Sequence, residues 1–202
     1  MSAQPSRLWI SQAIIILGGI LIAFGYLFWT GNALVPNLLP APPDSPILTA
    51  SLINFGIATL LLALGLTALI LGRRLRGTLR LGGWLLVAGF LLWALGAVTG
   101  FMPVRLPWWF VHFSPLCILF GSALFGAAAY GSTIFSRWGA LLVGLGGAIG
   151  MLLIDGPELV WDITGVDLAP GTVPHALGYL LLLAFGLGWI ILGRTRPLAA
   201  AS

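Results

Sequence analysis

The sequence has very few charged residues and no lysine among them. Only 7% of its 202 residues are charged, whereas 59% are hydrophobic; an ordinary soluble domain carries about 25% charged residues. The mean hydropathy is +1.08. This composition excludes a soluble globular protein and indicates a protein that is embedded in a membrane.

Cysteine and histidine are also scarce. The single cysteine, Cys117, excludes an intramolecular disulfide and a cysteine metal cluster. Because it lies within an apolar run, we interpret it as a small buried apolar residue. The two histidines, His112 and His175, are too few for a three-histidine zinc site.

Six long uncharged segments separate the charged parts of the chain. Each is near or above the roughly 20 apolar residues that cross about 30 Å of hydrocarbon, and the runs are continuous, which favours helices over a barrel. The sequence therefore predicts an all-α integral membrane protein, a single domain over residues 1–202 with six transmembrane helices in one bundle. The predicted spans are Leu8–Thr30, Ile47–Gly72, Leu81–Met102, Trp108–Phe135, Trp138–Ile154 and Val173–Gly193.

Charges of opposite sign alternate between the segments that connect these helices. Eight of the nine arginines lie in the N-terminus, the second and fourth connections and the C-terminus, with only Arg105 on the opposite side. Because positive charge is retained on the cytoplasmic side, we predict a multi-pass plasma-membrane protein with both termini in the cytoplasm. All five acidic residues lie in the first and fifth connections: Asp44, Asp155, Glu158, Asp162 and Asp167.

A basic cluster adjoins the ends of two predicted helices. Juxtamembrane arginines commonly contact anionic lipid headgroups, so we predict membrane lipids, and not nucleic acid, as partners despite a pI near 10.2. Tryptophans near predicted span ends, at positions 9, 29, 108, 109, 138 and 189, indicate an aromatic belt. The basic cluster consists of Arg73, Arg74, Arg76 and Arg80.

The tripeptide Leu-Gly-Gly occurs three times at equal intervals, starting at positions 17, 81 and 145. Each copy lies in an odd-numbered predicted helix, so the spacing predicts three stacked helical hairpins that share one orientation. Chance recurrence is the alternative, since leucine and glycine dominate the composition. The glycines within the spans are interpreted as sites of close helix packing.

The predicted spans contain no Asp, Glu, Lys or Arg, which argues against a proton relay, an ion pump or a voltage sensor. Asn54, His112 and His175 are predicted at a similar depth near the outer ends of three helices. The leading hypothesis is a non-enzymatic protein whose outward-facing cup binds a lipid, an apolar ligand or a membrane partner. Its predicted ligand-binding residues are Asn54, Asp155, Glu158, Asp162 and Asp167.

Two alternatives remain open. In the first, the chain is an accessory subunit of a larger membrane complex in which His112 and His175 ligate haem or a pigment, or hold a metal with a carboxylate. In the second, it is a component of a small-molecule transporter or an intramembrane hydrolase.

The hydrolase alternative arises because Gly121-Ser122 on the fourth helix and His175 on the sixth resemble the rhomboid intramembrane proteases. Ala123 stands where those proteases have glycine. An unbroken fourth helix also puts Ser122 about 21 Å below Trp108, far below His175. We therefore expect the hydroxyl of Ser122 to bond to its own helix.

The order of these features resembles the bacterial and archaeal six-helix membrane family catalogued as domain of unknown function 998. The resemblance implies a six-helix fold and a topology, and it implies no reaction. It rests on Asn54-Phe55-Gly56, Gly72-Arg73-Arg74, Gly82-Gly83, Gly100-Phe101-Met102-Pro103 and His112.

Overall fold

The computed structural model describes residues 5–34, 46–73, 75–99, 108–157, 160, 164–165 and 172–194. Six of its helical segments are long and apolar enough to cross a membrane, so the predicted all-α, multi-pass architecture is confirmed. The helices are α1 (Pro5–Leu34), α2 (Pro46–Gly72), α3 (Gly77–Thr99), α4 (Trp108–Tyr130), α5 (Arg137–Leu141), α6 (Gly147–Ile154) and α7 (Thr172–Gly193). A π-helical segment, Leu142–Gly146, joins α5 to α6, and the three together form the fifth span.

Several helix boundaries differ from the sequence prediction, most clearly at the end of α4 and the start of α3. Helix α4 ends at Tyr130 rather than Phe135, and α5 starts after Ser136, whose side chain accepts a hydrogen bond from the Gly139 N–H at 3.5 Å. Helix α3 begins at Gly77, so Arg80 lies in its first turn. Arg80 precedes the predicted span, which starts at Leu81, so α3 extends beyond that apolar run by about one turn.

The spans form a closed ring in which each helix packs against its neighbours in sequence. Helix α1 contacts both α2 and α7, and the contacts continue through α3, α4 and the fifth span back to α7. Neighbouring helices run in opposite directions. Gly18 packs against Leu62, for example, while Gly25, farther along α1, packs against Phe55, which comes earlier in α2.

This alternation sorts the charged side chains between the two ends of the bundle. We call one the arginine end; it carries the turn after α2, the turn before α5 and the end of α7, with Arg73, Arg76, Arg80, Arg137 and Arg194. The other is the Asp155 end, where α6 stops and α2, α4 and α7 begin. The first and fifth connections, which hold every acidic residue of the sequence, belong to it.

The three Gly-Gly pairs occupy equivalent positions in the ring. In each pair the first glycine faces the next helix and the second glycine contacts the preceding one. A Cβ on Gly18 would meet Leu62 of α2, and one on Gly19 would meet Gly186 of α7. The same holds for Gly82 against Phe125 of α4 and Gly83 against Ile70 of α2, and for Gly146 against Phe185 of α7 and Gly147 against Ser122 of α4.

The repeat therefore reflects a pseudo-threefold arrangement of helical hairpins, α1–α2, α3–α4 and fifth span–α7. The first residues of α4 and α7, Trp108 and Thr172, are separated by the same interval as successive Gly-Gly pairs. Since glycine has no side chain, two backbones can approach on both flanks of each odd-numbered helix. This is the physical reason for the glycine-rich composition.

Aromatic side chains fill the middle of the ring. The Trp189 ring lies 5.6 Å from that of Phe125, 5.9 Å from Phe185 and 6.1 Å from Phe90. Trp189 is 0% exposed, so its assignment to an interfacial belt is wrong. Trp9 and Trp138, at 70% and 73% exposure, do have the exposed positions that such a belt requires.

Candidate functional site

A groove of about 240 Å³ opens on the outside of the ring between α1 and α2, toward the Asp155 end. We call it the α1–α2 groove. Its rim is apolar and faces the membrane: Phe24 is 67% exposed. Its polar side chains are those of Ser51 and Asn54. The full lining is Phe24, Gly25, Phe28, Ile47, Ala50, Ser51 and Asn54.

Asn54 is held in this groove by a bond to the opposite helix. Its Nδ2 donates to the Leu21 carbonyl oxygen at 3.0 Å, while its Oδ1 accepts no hydrogen bond from the part of the chain that the structure describes. Asn54 lies five residues inside the span that begins at Thr49, or about 7.5 Å below its start. At this depth the acceptor therefore lacks a partner among the described residues, in a side chain that lines the groove.

At the position of Asn54, the other two hairpins of the repeat have apolar residues. A shift by one repeat interval takes Asn54 to Ile118, and a second shift takes it to Leu182. All three pack against a glycine of the neighbouring odd-numbered span: Gly25 against Asn54, Gly89 against Ile118 and Gly150 against Leu182. Ile118 and Leu182 are buried. Packing at this position therefore does not require a polar side chain. Helix packing alone does not explain why the first hairpin has an amide there.

Inward from the groove, an aromatic layer crosses four helices. Trp29 Nε1 donates to Ser51 Oγ at 2.9 Å, and the Trp29 ring lies 6.3 Å from that of Tyr179. The ring centroid of Tyr26 lies 6.2 Å from that of Tyr179 and 4.9 Å from that of Phe55. The Phe55 ring in turn stacks on Trp93, at 6.2 Å. The layer consists of Tyr26, Trp29, Phe55, Trp93 and Tyr179. It links the polar groups of the groove to the interior of the ring.

His175 and Asp155 approach this layer from the Asp155 end. The ring of His175, which is partly buried, lies 6.2 Å from that of Tyr179. Asp155 directly follows α6. His175 thus contacts the aromatic layer, and Asp155 lies at the same end of the bundle; the ligand-binding cup stays a prediction.

Other predicted residues of the cup fall outside what the structure describes. Glu158, Asp162 and Asp167 are not among the described residues, and of His112 only the place in α4 is described. Four residues separate His112 from the start of α4 and three separate His175 from the start of α7, so the two share one level. Ligation of haem or pigment by His112 and His175 stays a prediction. Within the described ranges, groups of three or more His, Cys, Asp or Glu that could hold a metal do not occur.

Ser122 is far from His175. It lies fourteen residues into α4 beside Gly147, whereas His175 lies three residues into α7, a difference in depth of roughly 16 Å. The expected bond from Ser122 to its own helix is wrong: in the described part of the chain, Ser122 Oγ is buried without a hydrogen-bond partner. The two residues do not form a nucleophile–base pair. Cys117 is buried, as predicted.

The predicted lipid-contacting arginines separate into two groups. Arg76 and Arg80 are exposed and line a second groove at the arginine end. Arg73 is partly buried, and Arg74 lies outside the described residues. The basic cluster is therefore not one uniform patch.

No family model, curated protein or solved structure matches this chain. The resemblance to the family catalogued as domain of unknown function 998 stays a prediction.

Sequence reasoning identified Asn54 but missed the rest of the groove. Ser51 and the ring of Trp29 were not predicted site residues, and the apolar rim at Phe24, Phe28 and Ile47 looked like any lipid-facing surface. One signal could have found the site. Alignment of the three hairpins on their Leu-Gly-Gly copies singles out Asn54 against Ile118 and Leu182.

Proposed function

We propose that this multi-pass membrane protein binds a membrane amphiphile in the α1–α2 groove and is not an enzyme. The ligand is a molecule with an apolar chain and a head group that carries a hydrogen-bond donor, such as a hydroxyl or an amide N–H. The observation that carries the proposal is the groove-lining amide of Asn54, whose Oδ1 accepts no hydrogen bond from the described residues. It lies where the other hairpins have Ile118 and Leu182.

The distribution of polarity in the groove supports an amphiphile rather than a pure hydrocarbon. A polar group at membrane depth without a partner costs about 1–3 kcal/mol on mutational scales. A donor on a ligand would offset that cost at Asn54, while Phe24 and Phe28 would contact the ligand's chain. Because these rim residues face the bilayer, the ligand can enter sideways from the lipid.

The size of the groove favours a partly enclosed ligand. Pockets for complete drug-sized molecules are typically about 300–1,000 Å³, and this groove measures about 240 Å³. It would hold the head group and the first part of the chain, with the remainder in the bilayer. A lipid or lipid-like metabolite meets that description.

The proposed orientation places this groove in the outer half of the plasma membrane and both termini in the cytoplasm. Its support is the gathering of Arg73, Arg76, Arg80, Arg137 and Arg194 at one end of the bundle, since basic residues are retained in the cytoplasm. A reporter fused after Ser202 tests it. Reporter activity on the cytoplasmic side is expected, and activity on the exterior would reverse the orientation.

Paired photoactivatable probes test the binding proposal in the purified protein. One is a diazirine-labelled monoacylglycerol, which has hydroxyl donors, and the other is the methyl ester of the same fatty acid, which has none. We expect the monoacylglycerol to crosslink preferentially to peptides of α1 and α2. The Asn54→Leu variant, which copies the residue found at Leu182, should lose the preference for the hydroxyl-bearing probe.

Matched serine variants provide the control. Ser51→Ala changes the groove, whereas Ser114→Ala removes a hydroxyl from α4, where it bonds to the Gly89 carbonyl at 2.9 Å, outside the groove. Labelling should fall in the first variant and not in the second. Equal labelling of all six spans, or a preference that survives Asn54→Leu, would contradict the proposal. Native mass spectrometry in mild detergent would then show whether another molecule co-purifies.

A further inference from the structure

The second groove lies at the opposite end of the bundle, at the turn between α2 and α3. It measures about 310 Å³ and is lined by Ile70, Leu71, Leu75, Arg76 and Arg80. Leu71 is 61% exposed and extends the groove toward the bilayer. The groove, which we call the α2–α3 groove, therefore has an apolar side next to the membrane and a basic side next to the solvent.

The two arginines of the groove, Arg76 and Arg80, lie next to each other at the start of α3. The Arg80 N–H donates to the Arg76 carbonyl oxygen at 3.5 Å, which puts the residues one helical turn apart. Like charges at this spacing repel each other. Both also lie at the N-terminal end of α3, where the helix dipole adds positive potential and where the first turn has no acidic residue.

Among the described residues, this charge has no acidic counterpart at this end of the bundle. Every acidic residue of the sequence belongs to the first or fifth connection, and those connections join helices at the Asp155 end. Arg73, on the same turn, adds to the imbalance: its Nη2 is buried and donates to no partner among the described residues. Burial lowers the pKa of the Arg73 guanidinium from its ordinary value, because desolvation disfavours its charged form. Asp155, the only acidic residue among those described, lies at the opposite end of the bundle, so none of the described side chains supplies an anion at this turn.

We propose that the α2–α3 groove binds the phosphate of an anionic membrane phospholipid. Arg76 and Arg80 donate hydrogen bonds to the phosphate oxygens, and Ile70, Leu71 and Leu75 contact the start of the acyl chains. A lipid fits better than free phosphate because more than half of the lining residues are apolar and the groove continues onto the exposed Leu71. The site is independent of the α1–α2 groove, since it lies at the other end of the bundle.

Native mass spectrometry of the full chain tests this site. The protein is released from micelles that contain equal amounts of phosphatidylglycerol and phosphatidylcholine, and the retained lipids are counted. The doubly substituted R76Q/R80Q protein should retain about tenfold less phosphatidylglycerol. The matched control is R137Q/R194Q, which removes the same charge from the same end but outside the groove and should retain phosphatidylglycerol like the native protein.

Two further measurements separate the other outcomes. R76K/R80K keeps the charge and the fold but lacks the planar guanidinium, so its retention should lie between the native protein and R76Q/R80Q. Excess inorganic phosphate should not displace the lipid. The assignment would be overturned if R76Q/R80Q and R137Q/R194Q lost equal amounts of phosphatidylglycerol, or if neither R76Q/R80Q nor R76K/R80K lost any. Displacement of the lipid by inorganic phosphate would also overturn it.

Discussion

Gly25 of α1 leaves the space into which Asn54 of α2 extends. A Cβ on Gly25 would lie 2.9 Å from Asn54 Nδ2 and 2.8 Å from the Phe55 ring. The missing side chain lets the amide of Asn54, which lines the groove, reach the Leu21 carbonyl at 3.0 Å. The position of the candidate ligand-binding residue is thus set by a glycine on the neighbouring helix.

Gly25→Ala is expected to displace the Asn54 amide and the Phe55 ring. Overpacking of this kind typically costs about 1–3 kcal/mol, and preferential labelling by the hydroxyl-bearing probe should be lost with it. Unfolding in detergent, followed by circular dichroism, measures the first effect. Gly96→Ala is the control, because a Cβ there meets no atom within 4 Å. Equal stabilities of the two variants would contradict the packing described here.

Adjacent glycines of one repeat are expected to differ in their tolerance of a methyl group. A Cβ on Gly82 would lie 2.5 Å from the Phe125 backbone nitrogen, whereas one on Gly83 would meet only side chains, at 2.9 Å from Ile70 Cδ1. A side-chain tip can rotate away but a helix backbone cannot. Gly82→Ala should therefore lower the free energy of unfolding by about 1–3 kcal/mol more than Gly83→Ala. Similar thermal unfolding temperatures for both variants would contradict the close approach of the α3 and α4 backbones at Gly82.

Ser122→Ala is expected to be neutral or to stabilise the protein by up to about 1 kcal/mol, because it removes a buried hydroxyl that lacks a partner. Ser114→Ala, on the same helix, removes a hydroxyl that donates to the Gly89 carbonyl and should cost about 0.6 kcal/mol, the average for a hydrogen bond within a membrane. Reversible unfolding of both variants gives the comparison. If Ser122→Ala lowered the free energy of unfolding as much as Ser114→Ala, Ser122 Oγ would have a hydrogen-bond partner in the native protein.

Trp29 and Ser51 should be energetically coupled through the bond that joins α1 to α2 beside the groove. We expect a double-mutant cycle of Trp29→Phe and Ser51→Ala to give a coupling of about 0.6 kcal/mol, and at most about 1.7 kcal/mol. A cycle of Trp93→Phe with Ser51→Ala is the control, because Trp93 packs against Phe55 instead. Coupling near zero for Trp29, or equal coupling for both tryptophans, would show that the bond contributes nothing specific.

The sequence suggested single candidate residues for the site but not the side chains that surround them. Asn54 stood out because an amide is rare in an apolar run. Trp29 and Ser51, 22 residues apart in sequence, could not be paired because their contact depends on how α1 and α2 rotate about their axes. The assignment of Trp189 to the interfacial belt is wrong for a related reason. The sequence shows how far Trp189 lies from the end of its span, but it does not show whether the side chain faces lipid or the interior of the ring.

The sequence by itself determined the number of spans and the separation of the charges. Both follow from the free-energy cost of putting charge or unpaired backbone into hydrocarbon, a cost that acts on each segment separately. The closed ring, the two grooves and the π-helical segment Leu142–Gly146 were decided only by the tertiary structure. These features depend on how closely helix backbones approach and which faces meet, and every face of an apolar helix has nearly the same affinity for lipid.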